Sequence, residues 1–546
     1  MREIAFKYAI KNALKFGKAR KDAVIKKVLG ELPQLREKIK EVIKVCKEVV
    51  EEVNKLSYDE IIEKAQLLGI TLEVKGKEFK LPPLPLAEEG KVVMRLAPFP
   101  SGPLHIGNAR MVILNDEYVK MYKGKLLLVF DDTIGSEEKR LLPEAYDLIL
   151  EGLEWLGVKF HKIYYKSDRL EIFYKYAKKL IEKGFAYVCE CPVEVLRKNR
   201  KLGVECKCRS RSIEDNLEKF EEMLEGKFRE GEAVVRLKTD MKHPDPAFRD
   251  RVLLRICERE HPRVGNKYIV WPLLEFSWAI DDHLLGITHI LRGKDLVIED
   301  RVEEFIWKVF GWPLIPFIHY GMLRIKEAKL SKSKARKAIE KGLLKGWKDP
   351  RTWSLQSLME RGIQPEALRN FIIKMGLSLA DVEVPAEILY AENRKIIDPK
   401  ANRYFCVFNP RKIRIKGLKA KEIKKKLHPN FPERGETVIK INPEAIYVEK
   451  EDFEKYKGKE VGLAYFCTIK LNEISEIVSP KVKFEVPKIH WVSEPFEEIK
   501  ILMPNGEEIT ALAEPSIKNV KKGEIIQLFR VGFCRKADGI FYFSHP

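Results

Sequence analysis

The segment 92–110 restricts the fold of this chain more than any other part of the sequence. A β-strand pattern at 92–96 runs into a loop rich in proline and glycine, and helical spacing of apolar residues begins after His105. The first turn of a helix has main-chain N–H groups without internal partners and the positive end of the helix dipole, so it suits a phosphate group. Gly107 lets a ligand approach the backbone closely. The segment therefore predicts nucleotide chemistry on an α/β fold, although it contains neither a Walker loop nor a G-x-G-x-x-G motif.

A second basic segment, 329–334, lies far downstream and reads Lys-Leu-Ser-Lys-Ser-Lys. Two lysines in a serine-rich loop suit a leaving pyrophosphate, whose negative charge grows in the transition state. Taken alone, this segment is more often a solvated loop, and His105 alone is more often a hydrogen-bonded residue at a helix start. The order and separation of the two segments favour one ATP site.

Four cysteines form two closely spaced pairs in a polar, basic stretch. They are Cys189 with Cys191 and Cys206 with Cys208. Such pairs can supply four thiolates to a tetrahedral ion, which predicts a structural Zn²⁺; the alternative is four small apolar side chains in an ordinary hairpin. The other five cysteines are isolated and are interpreted as core residues.

The chain carries a net charge of +20 and has a pI near 9.2, which favours a polyanionic partner such as RNA. The 82 acidic residues exclude a simple basic tail, and a surface rich in Lys and Glu is also typical of thermophiles. The sequence shows no apolar run of about eighteen residues and no signal peptide, so we expect a cytoplasmic protein without membrane contact.

Periodicity changes along the chain. Helical spacing dominates the first 75 residues and the stretch 335–395, whereas β runs alternate with helices at 91–185. The tail beyond 396 contains strand patterns between Pro, Gly and Asn turns, which predicts a barrel or sandwich. These tail strands are predicted at 437–441, 460–466, 481–486 and 525–530.

Several motifs, in one order, resemble those of the glutamyl-tRNA synthetase family of class I aminoacyl-tRNA synthetases, in its archaeal form. The run 95–109 resembles the family segment that contains the HIGH signature, and 329–333 resembles KMSKS. The resemblance is clear over roughly 90–380 and looser beyond. Three further similar motifs lie at 131–133, 154–157 and 281–292.

The resemblance implies an α/β fold with a Rossmann-type catalytic domain and a C-terminal β-barrel that binds the anticodon. The expected regions are a helical N-terminal region (1–85), the first catalytic half (86–185), an insertion with the cysteine pairs that holds the tRNA acceptor end (186–265), the second catalytic half with the lysine loop (266–335), a helical bundle (336–395) and the β-barrel (396–546).

The implied activity is that of a glutamate–tRNA ligase. L-Glutamate reacts with ATP, whose phosphates are bridged by Mg²⁺, to give glutamyl-adenylate, and the glutamyl group passes to the 3′ end of tRNA(Glu). The sequence leaves open whether tRNA(Gln) is also charged. We expect a monomer.

The resemblance also assigns site residues. The catalytic residues are expected to be His105, Asn108, Lys329 and Lys332. The ATP-binding set adds Pro98, Gly102, Gly107 and Ser331 to those four. The substrate-binding residues are expected to be Arg95, Ala97, Asp131 and Arg292. The two arginines suit the substrate carboxylate, because a guanidinium binds a carboxylate through two hydrogen bonds. Asp131 suits the substrate ammonium. A surface ion pair for Arg292 and a helix or loop cap for Asp131 are the alternatives.

Five positions depart from the family pattern. Asn108 replaces the last residue of HIGH, and its amide can still donate to a phosphate. The other four, near the predicted amino-acid pocket, are Phe99, Val129, Ile134 and Leu274. They predict either reassigned substrate contacts or altered amino-acid recognition.

Two other functions remain as alternatives. A glutaminyl-tRNA synthetase shares this architecture, but Arg292 suits a carboxylate better than an amide. The second alternative is an RNA-binding paralogue or another nucleotidyltransferase with a HIGH signature. The lysines of segment 329–334 argue against a paralogue without activity. The insertion and the tail argue against an enzyme that acts on a small metabolite.

Overall fold

The computed structural model describes residues 1–56, 60–61, 64–65, 68, 81–135, 140–328, 331–483 and 485–546. Within these ranges, no helix combines the length and the apolar character needed to cross a membrane.

The N-terminal region is a three-helix bundle, in agreement with the helical spacing of its sequence. Its helices are α1 (Arg2–Phe16), α2 (Lys21–Glu31) and α3 (Ile39–Asn54). Val42, Cys46 and Val49 recur at helical spacing on α3 and are fully buried against α1 and α2. This bundle has a core of its own.

The region predicted as the first catalytic half is a parallel sheet with helical crossovers. Its elements are β1 (Val93–Leu96), α4 (Ile106–Met121), β2 (Lys125–Phe130), α5 (Pro143–Trp155), β3 (Lys162–Tyr165) and α6 (Leu170–Glu182). β2 pairs in parallel with β1 on one side and with β3 on the other. The predicted strands at 92–96 and 125–130 are confirmed.

The insertion forms an antiparallel sheet in the order β4–β5–β6–β7. Its elements are β4 (Ala186–Cys189), α7 (Val193–Leu202), α8 (Ile213–Leu224), β5 (Val234–Leu237), β6 (Val252–Ile256) and β7 (Val270–Pro272). The cysteine pairs lie at one end of this sheet, because Cys189 is the last residue of β4.

The chain then returns to the neighbourhood of the first parallel sheet. The elements are α9 (Leu274–Leu284), β8 (Ile290–Gly293), α10 (Val297–Phe310), β9 (Phe317–Tyr320) and β10 (Leu323–Ile325). β8 pairs in parallel with β9 in a sheet of their own, and the main-chain N–H of Thr288 donates to the carbonyl of Val93 at 2.9 Å. β8 therefore lies beside β1, and the carboxyl ends of strands from both halves meet at one edge.

The helical bundle packs against this sheet. It consists of α11 (Lys332–Glu340), α12 (Leu355–Glu360), α13 (Pro365–Met375), the short strand β11 (Val382–Val384) and α14 (Glu387–Ile397). The two faces of β2 belong to different cores: Leu126 and Leu128 pack with the bundle, whereas Leu127 and Val129 pack with the insertion.

The tail is β-structure, as predicted. Its elements are β12 (Asn402–Tyr404), β13 (Cys406–Val407), β14 (Pro410–Lys416), β15 (Glu422–Lys426), β16 (Glu436–Lys440), β17 (Ile446–Glu449), α15 (Lys450–Tyr456), β18 (Glu460–Leu463), β19 (Thr468–Lys470), β20 (Ile474–Ser479), β21 (Lys488–Ile489), β22 (Trp491–Ser493), β23 (Glu497–Leu502), β24 (Glu508–Ala513), β25 (Ile525–Leu528), β26 (Gly532–Lys536) and β27 (Phe541–His545).

Two seven-stranded sheets organise this tail. One runs β12–β25–β26–β27–β23–β24–β13, and the other runs β21–β18–β19–β20–β14–β17–β22. The edge strands of the first sheet, β12 and β13, are separated in the chain only by Phe405, so this sheet curls until its edges nearly meet. The predicted barrel character is confirmed.

One predicted tail strand is wrong. The described residues of 481–486 form no strand, although the sequence alternates there with a period of two. Pro480 and Pro487 bound the segment and cannot donate to a ladder, and the main-chain N–H of Lys483 donates instead to the hydroxyl of Thr468 at 2.9 Å. Phe484 lies outside the described residues.

Candidate active site

His105 is the N-cap of α4. Its Nδ1 accepts a hydrogen bond from the main-chain N–H of Gly107 at 3.1 Å, and Oδ1 of Asn108 accepts one from the main-chain N–H of His105 at 3.2 Å. These two bonds fix the imidazole and leave its Nε2, together with the amide of Asn108, for a ligand. An amide at position 108 therefore keeps both the cap and a donor.

Lys332 lies against the loop before α4, although the sequence places it far away. Its Nζ donates to the carbonyl of Gly102 at 3.5 Å. Ser331 is the N-cap of α11, where its hydroxyl accepts from the main-chain N–H of Lys334. Lys329 lies outside the described residues, so its predicted position has no structural account.

The loop between β1 and α4 is held from two sides. The main-chain N–H of Ile106 donates to the carbonyl of Trp353, and that of Leu355 donates to the carbonyl of Leu104. Gly102 has a φ of 146°, and a Cβ there would lie 3.0 Å from the ring of Trp347. Glycine is therefore required at position 102 for both its backbone angle and its space.

Burial and charge set the protonation states at this site. Burial, with a smaller contribution from the charge of Lys332, lowers the pKa of His105 to about 3. Burial lowers the pKa of the Lys332 ammonium to about 8. At neutral pH the site therefore holds a neutral imidazole and a cation, a combination that suits a polyphosphate.

A second cluster lies at the carboxyl ends of the parallel strands and contains three of the predicted substrate residues. Arg95 binds both carboxylate oxygens of Asp282, with 2.7 Å for the Nη2–Oδ2 contact. Arg292 is 4 % exposed and donates to Asp300 and, at 2.7 Å, to Glu303. The pairing of Arg292 is thus internal to the protein and is not a surface ion pair.

Asp131 faces a lysine that the sequence analysis did not single out. Nζ of Lys166, which is fully buried, lies 3.0 Å from Oδ1 of Asp131 and donates to the hydroxyl of Ser277 at 2.6 Å. Asp131 also donates its main-chain N–H to the carbonyl of Pro98 at 3.1 Å. This bond joins the cluster to the loop before α4.

Trp278 connects the members of the cluster. The guanidinium carbons of Arg95 and Arg292 lie 4.8 and 4.9 Å from the centroid of its ring, and Nζ of Lys166 lies at 5.2 Å. Sequence analysis missed Trp278 and Lys166. The available signals were the position of Lys166 directly after β3 and the spacing of Trp278 to Asp281 and Asp282 on one helix.

The four departures around the predicted pocket fall into two groups. Val129 and Ile134 are buried in the apolar core shared with the insertion, so their side chains pack against apolar neighbours. Phe99 and Leu274 are half-buried, in the loop after β1 and at the start of α9. Ala97 is half-buried in the same loop as Phe99.

The four predicted metal ligands come together. The sulfur atoms of Cys189, Cys191, Cys206 and Cys208 all lie within 4.8 Å of one another. The Cys189–Cys206 and Cys191–Cys208 separations are 3.8 and 3.9 Å. A tetrahedral Zn²⁺ with Zn–S bonds of about 2.3 Å holds its sulfurs about 3.8 Å apart, so the donor set fits this ion.

Positive groups surround these sulfurs. Nη1 of Arg236 lies 3.8 Å from the sulfur of Cys189, and Nη2 of Arg211 lies 3.7 Å from that of Cys208. A hydrogen bond from Cys189 lowers the pKa of Cys206 to about 4, whereas the same bond, together with burial, raises the pKa of Cys189, and burial raises that of Cys191 to about 11. One thiolate is therefore favoured without a metal, and a bound metal ion would replace the protons of the other ligands.

The chain matches three family models. The catalytic domain of class I tRNA synthetases (E and Q) matches residues 91–399, and two anticodon-binding domains of the same class match 401–486 and 488–537. A glutamate–tRNA ligase of Pyrococcus furiosus is 46% identical over 98% of this chain and 96% of its own length. One of Methanocaldococcus jannaschii is 45% identical over 98% of this chain and 97% of its own. Among solved structures, a glutamate–tRNA synthetase from Elizabethkingia anophelis is 22% identical over 57% of this chain and 72% of that chain, with a TM-score of 0.41.

Proposed function

We propose roles for individual residues from one premise, namely that this chain belongs to the class I tRNA synthetases of the glutamate and glutamine type. The family, and the similarity to curated glutamate–tRNA ligases over nearly the whole chain, make it a ligase that forms an aminoacyl-tRNA. Its reaction consumes ATP with Mg²⁺, and its partners are glutamate and tRNA. The residue roles below are our proposal.

The approach of Lys332 to the loop before α4 carries the proposal for ATP. Nζ of Lys332 lies 3.5 Å from the carbonyl of Gly102, beside the His105 cap, so one phosphate chain can touch both. Nε2 of His105, the amide of Asn108 and the first turn of α4 bind the phosphates as donors. Lys332 neutralises the charge that develops on the leaving pyrophosphate, and Lys329 shares this role. Mg²⁺, held largely by phosphate oxygens and water, neutralises further charge when it is bound.

Glutamate binds at the cluster around Trp278. Asp131, whose main chain contacts Pro98, pairs with the substrate ammonium after exchange of its partner Lys166. Arg95 and Arg292 bind the two substrate carboxylates. The α-carboxylate then attacks the α-phosphate in line with the leaving pyrophosphate, and the protein acts mainly by positioning.

tRNA contacts two separate regions of the chain. The insertion, with its basic helix α7, receives the acceptor end, and the β-structured tail binds the anticodon, whose unstacked bases are read on their edges. A Zn²⁺ held by the four cysteines at the end of β4 supports the insertion; its role is structural, because all four positions of a tetrahedral ion are then filled.

One experiment tests the function without assuming the amino acid. The purified chain is given ATP, all twenty amino acids and either tRNA(Glu) or tRNA(Gln), and the amino acid attached to the terminal adenosine is identified by mass spectrometry. We expect glutamate on tRNA(Glu), and the tRNA(Gln) arm shows whether the second tRNA is also a substrate. Glutamine as the only attached amino acid, or no attached amino acid, would contradict the proposal.

A further inference from the structure

We propose that Trp278 determines the specificity of the amino-acid site, because its ring positions the two arginines taken to bind the substrate carboxylates, Arg95 and Arg292, together with the ammonium of Lys166. The inference rests on the proposed function, because it takes Arg95 and Arg292 as the groups that meet the substrate carboxylates. The proposed function gives Trp278 no role; here its ring is a positioning group for the guanidinium groups of Arg95 and Arg292.

Three elements contribute the cations, and no two of them are neighbours in the chain. Arg95 comes from β1, Lys166 follows β3, and Arg292 comes from β8. Their charged ends lie 4.8, 5.2 and 4.9 Å from the centroid of the Trp278 ring. An indole is the aromatic group that attracts cations most strongly, because its faces carry partial negative charge. A single side chain on α9 therefore holds together groups that the backbone only brings near.

Carboxylates of the cluster pair with the three cations. Each cation also has an acidic partner: Asp282 for Arg95, Asp131 for Lys166, and Asp300 with Glu303 for Arg292. Burial raises the pKa of Glu303, so this carboxyl group holds its negative charge less readily than an exposed glutamate and is the weaker of the two acidic partners of Arg292. Arg95 and Arg292 can meet the two carboxylates of glutamate only if both guanidinium groups are held in place, whereas glutamine brings one carboxylate, so the ring that positions both arginines bears on the choice between the two amino acids.

The indole N–H does not explain the position of Trp278. The side chain is 5 % exposed, and its Nε1 has no hydrogen-bond partner among the described residues. A buried donor without a partner is unfavourable, so the free protein keeps this residue for its ring and not for its N–H. Phenylalanine, which retains an aromatic face, is accordingly the informative replacement.

The test compares Trp278→Leu, which removes the face, with Trp278→Phe, which keeps one. Glutamate-dependent ATP–pyrophosphate exchange is measured at saturating tRNA(Glu), with separate KM values for glutamate and ATP. We expect Trp278→Leu to raise the KM for glutamate about tenfold to thirtyfold and to lower the preference for glutamate over glutamine. The KM for ATP should change less than twofold, and Trp278→Phe should restore most of the glutamate affinity.

Trp491→Leu is the matched control. Trp491 is likewise buried, and this substitution also removes an indole, but Trp491 lies in the tail, where its Nε1 donates to the carbonyl of Ala464 at 3.0 Å. We expect this variant to unfold at a lower temperature with an unchanged KM for glutamate. An unchanged KM in folded Trp278→Leu, or a Phe variant as impaired as the Leu variant, would overturn the proposal.

A second measurement avoids any loss of volume. Fluorinated tryptophans placed at position 278 keep the shape of the ring and weaken its negative face step by step. The KM for glutamate should rise with each added fluorine, whereas a flat series would overturn the proposal even if Trp278→Leu fails to fold. A wild-type chain without glutamate-dependent exchange would instead refute the proposed function, so the two failures are distinguishable.

Discussion

Among single residues, two side chains of the proposed ATP site have charges that are set by their surroundings. His105 is fixed by its cap and stays neutral, and Lys332 is a cation whose proton is easier to lose than usual. A neutral imidazole can donate one N–H to a phosphate without carrying a charge that must be desolvated. In the proposed ATP site the lysine supplies the charge, so the two residues would have different tasks at one phosphate chain.

The pKa of Lys332 leads to a prediction about pH. Because this pKa is lowered to about 8 from 10.5, the ammonium is present below pH 8 and is lost as the pH rises through that value. The KM for ATP should therefore increase between pH 7.5 and about 9 in pyrophosphate exchange. Lys332→Arg, whose guanidinium stays charged, should keep the KM flat over this range.

The control for this measurement is Lys337→Arg, which lies on the same helix and is exposed. It should reproduce the pH dependence of the wild type. If Lys332→Arg shows the same increase as the wild type, another group titrates and the assignment of Lys332 is incorrect.

Sequence could predict His105 and Lys332 because each belongs to a short motif that its neighbours complete. It could not predict Trp278, because the significance of that ring depends on β1, β3 and β8 meeting in three dimensions. Val129 and Ile134 show the opposite error: both depart from the family pattern, yet the structure places them in an apolar core.

At the scale of elements, the cysteine pairs are the clearest case in which local sequence predicts local structure. Cys189 ends β4, Cys206 precedes a short helical turn, and their sulfurs approach to 3.8 Å. The spacing within each pair restricts the ligands to one region before any tertiary contact forms. The sequence was misleading at 481–486, where alternation of apolar and polar residues predicted a strand. The described residues form none, and the prolines that bound the segment cannot donate hydrogen bonds to a neighbouring strand.

The cysteine cluster predicts one Zn²⁺ per chain. Elemental analysis of the purified protein should find one equivalent of zinc, and Cys208→Ser should lose most of it, because one of four thiolates is missing. Charging of tRNA should fall in this variant as the insertion loosens. Cys46→Ser, which changes a buried cysteine in the N-terminal bundle, should retain the zinc; zinc-free wild type that is fully stable would contradict the prediction.

At the scale of the whole molecule, Arg361 joins the tail to the catalytic body. It is fully buried, and its Nη2 donates to the carbonyl of Ser544 on β27 at 2.7 Å and to the hydroxyl of Tyr390 on α14 at 2.8 Å. Its guanidinium also lies 5.0 Å from the ring of Trp353, whose carbonyl holds the start of α4. One side chain thus contacts both the last strand and the residue behind the His105 loop.

Loss of Arg361 should weaken the docking of the tail. Arg361→Ala leaves the Ser544 carbonyl and the Tyr390 hydroxyl without this partner, which costs about 1–3 kcal/mol. Thermal unfolding should begin earlier, and charging of tRNA should fall more than pyrophosphate exchange. Lys348→Ala, which removes a lysine 59% exposed and paired with Glu360, should cost less than about 1 kcal/mol; equal losses in both variants would contradict the role of Arg361.

Sequence could predict the order of the regions but not how they share cores. One core contains Ile106 and Leu128 together with Phe371 and Leu389, so the first catalytic half and the helical bundle are packed as one unit. Periodicity identifies which face of an element is apolar, but it does not identify the element that covers that face. The contact of Arg361 with β27 joins positions 183 residues apart and leaves no local signal.

The segments around His105 and Lys332 should act together as one ATP site. A double-mutant cycle with His105→Ala and Lys332→Ala tests it most directly, through the rate of glutamate-dependent ATP–pyrophosphate exchange in the presence of tRNA(Glu). Each single change should lower the rate by about 10²–10³-fold, and the double change should cost much less than the product, because residues that act on one transition state are not additive. Losses that multiply fully, or a single variant with the wild-type rate, would contradict the account.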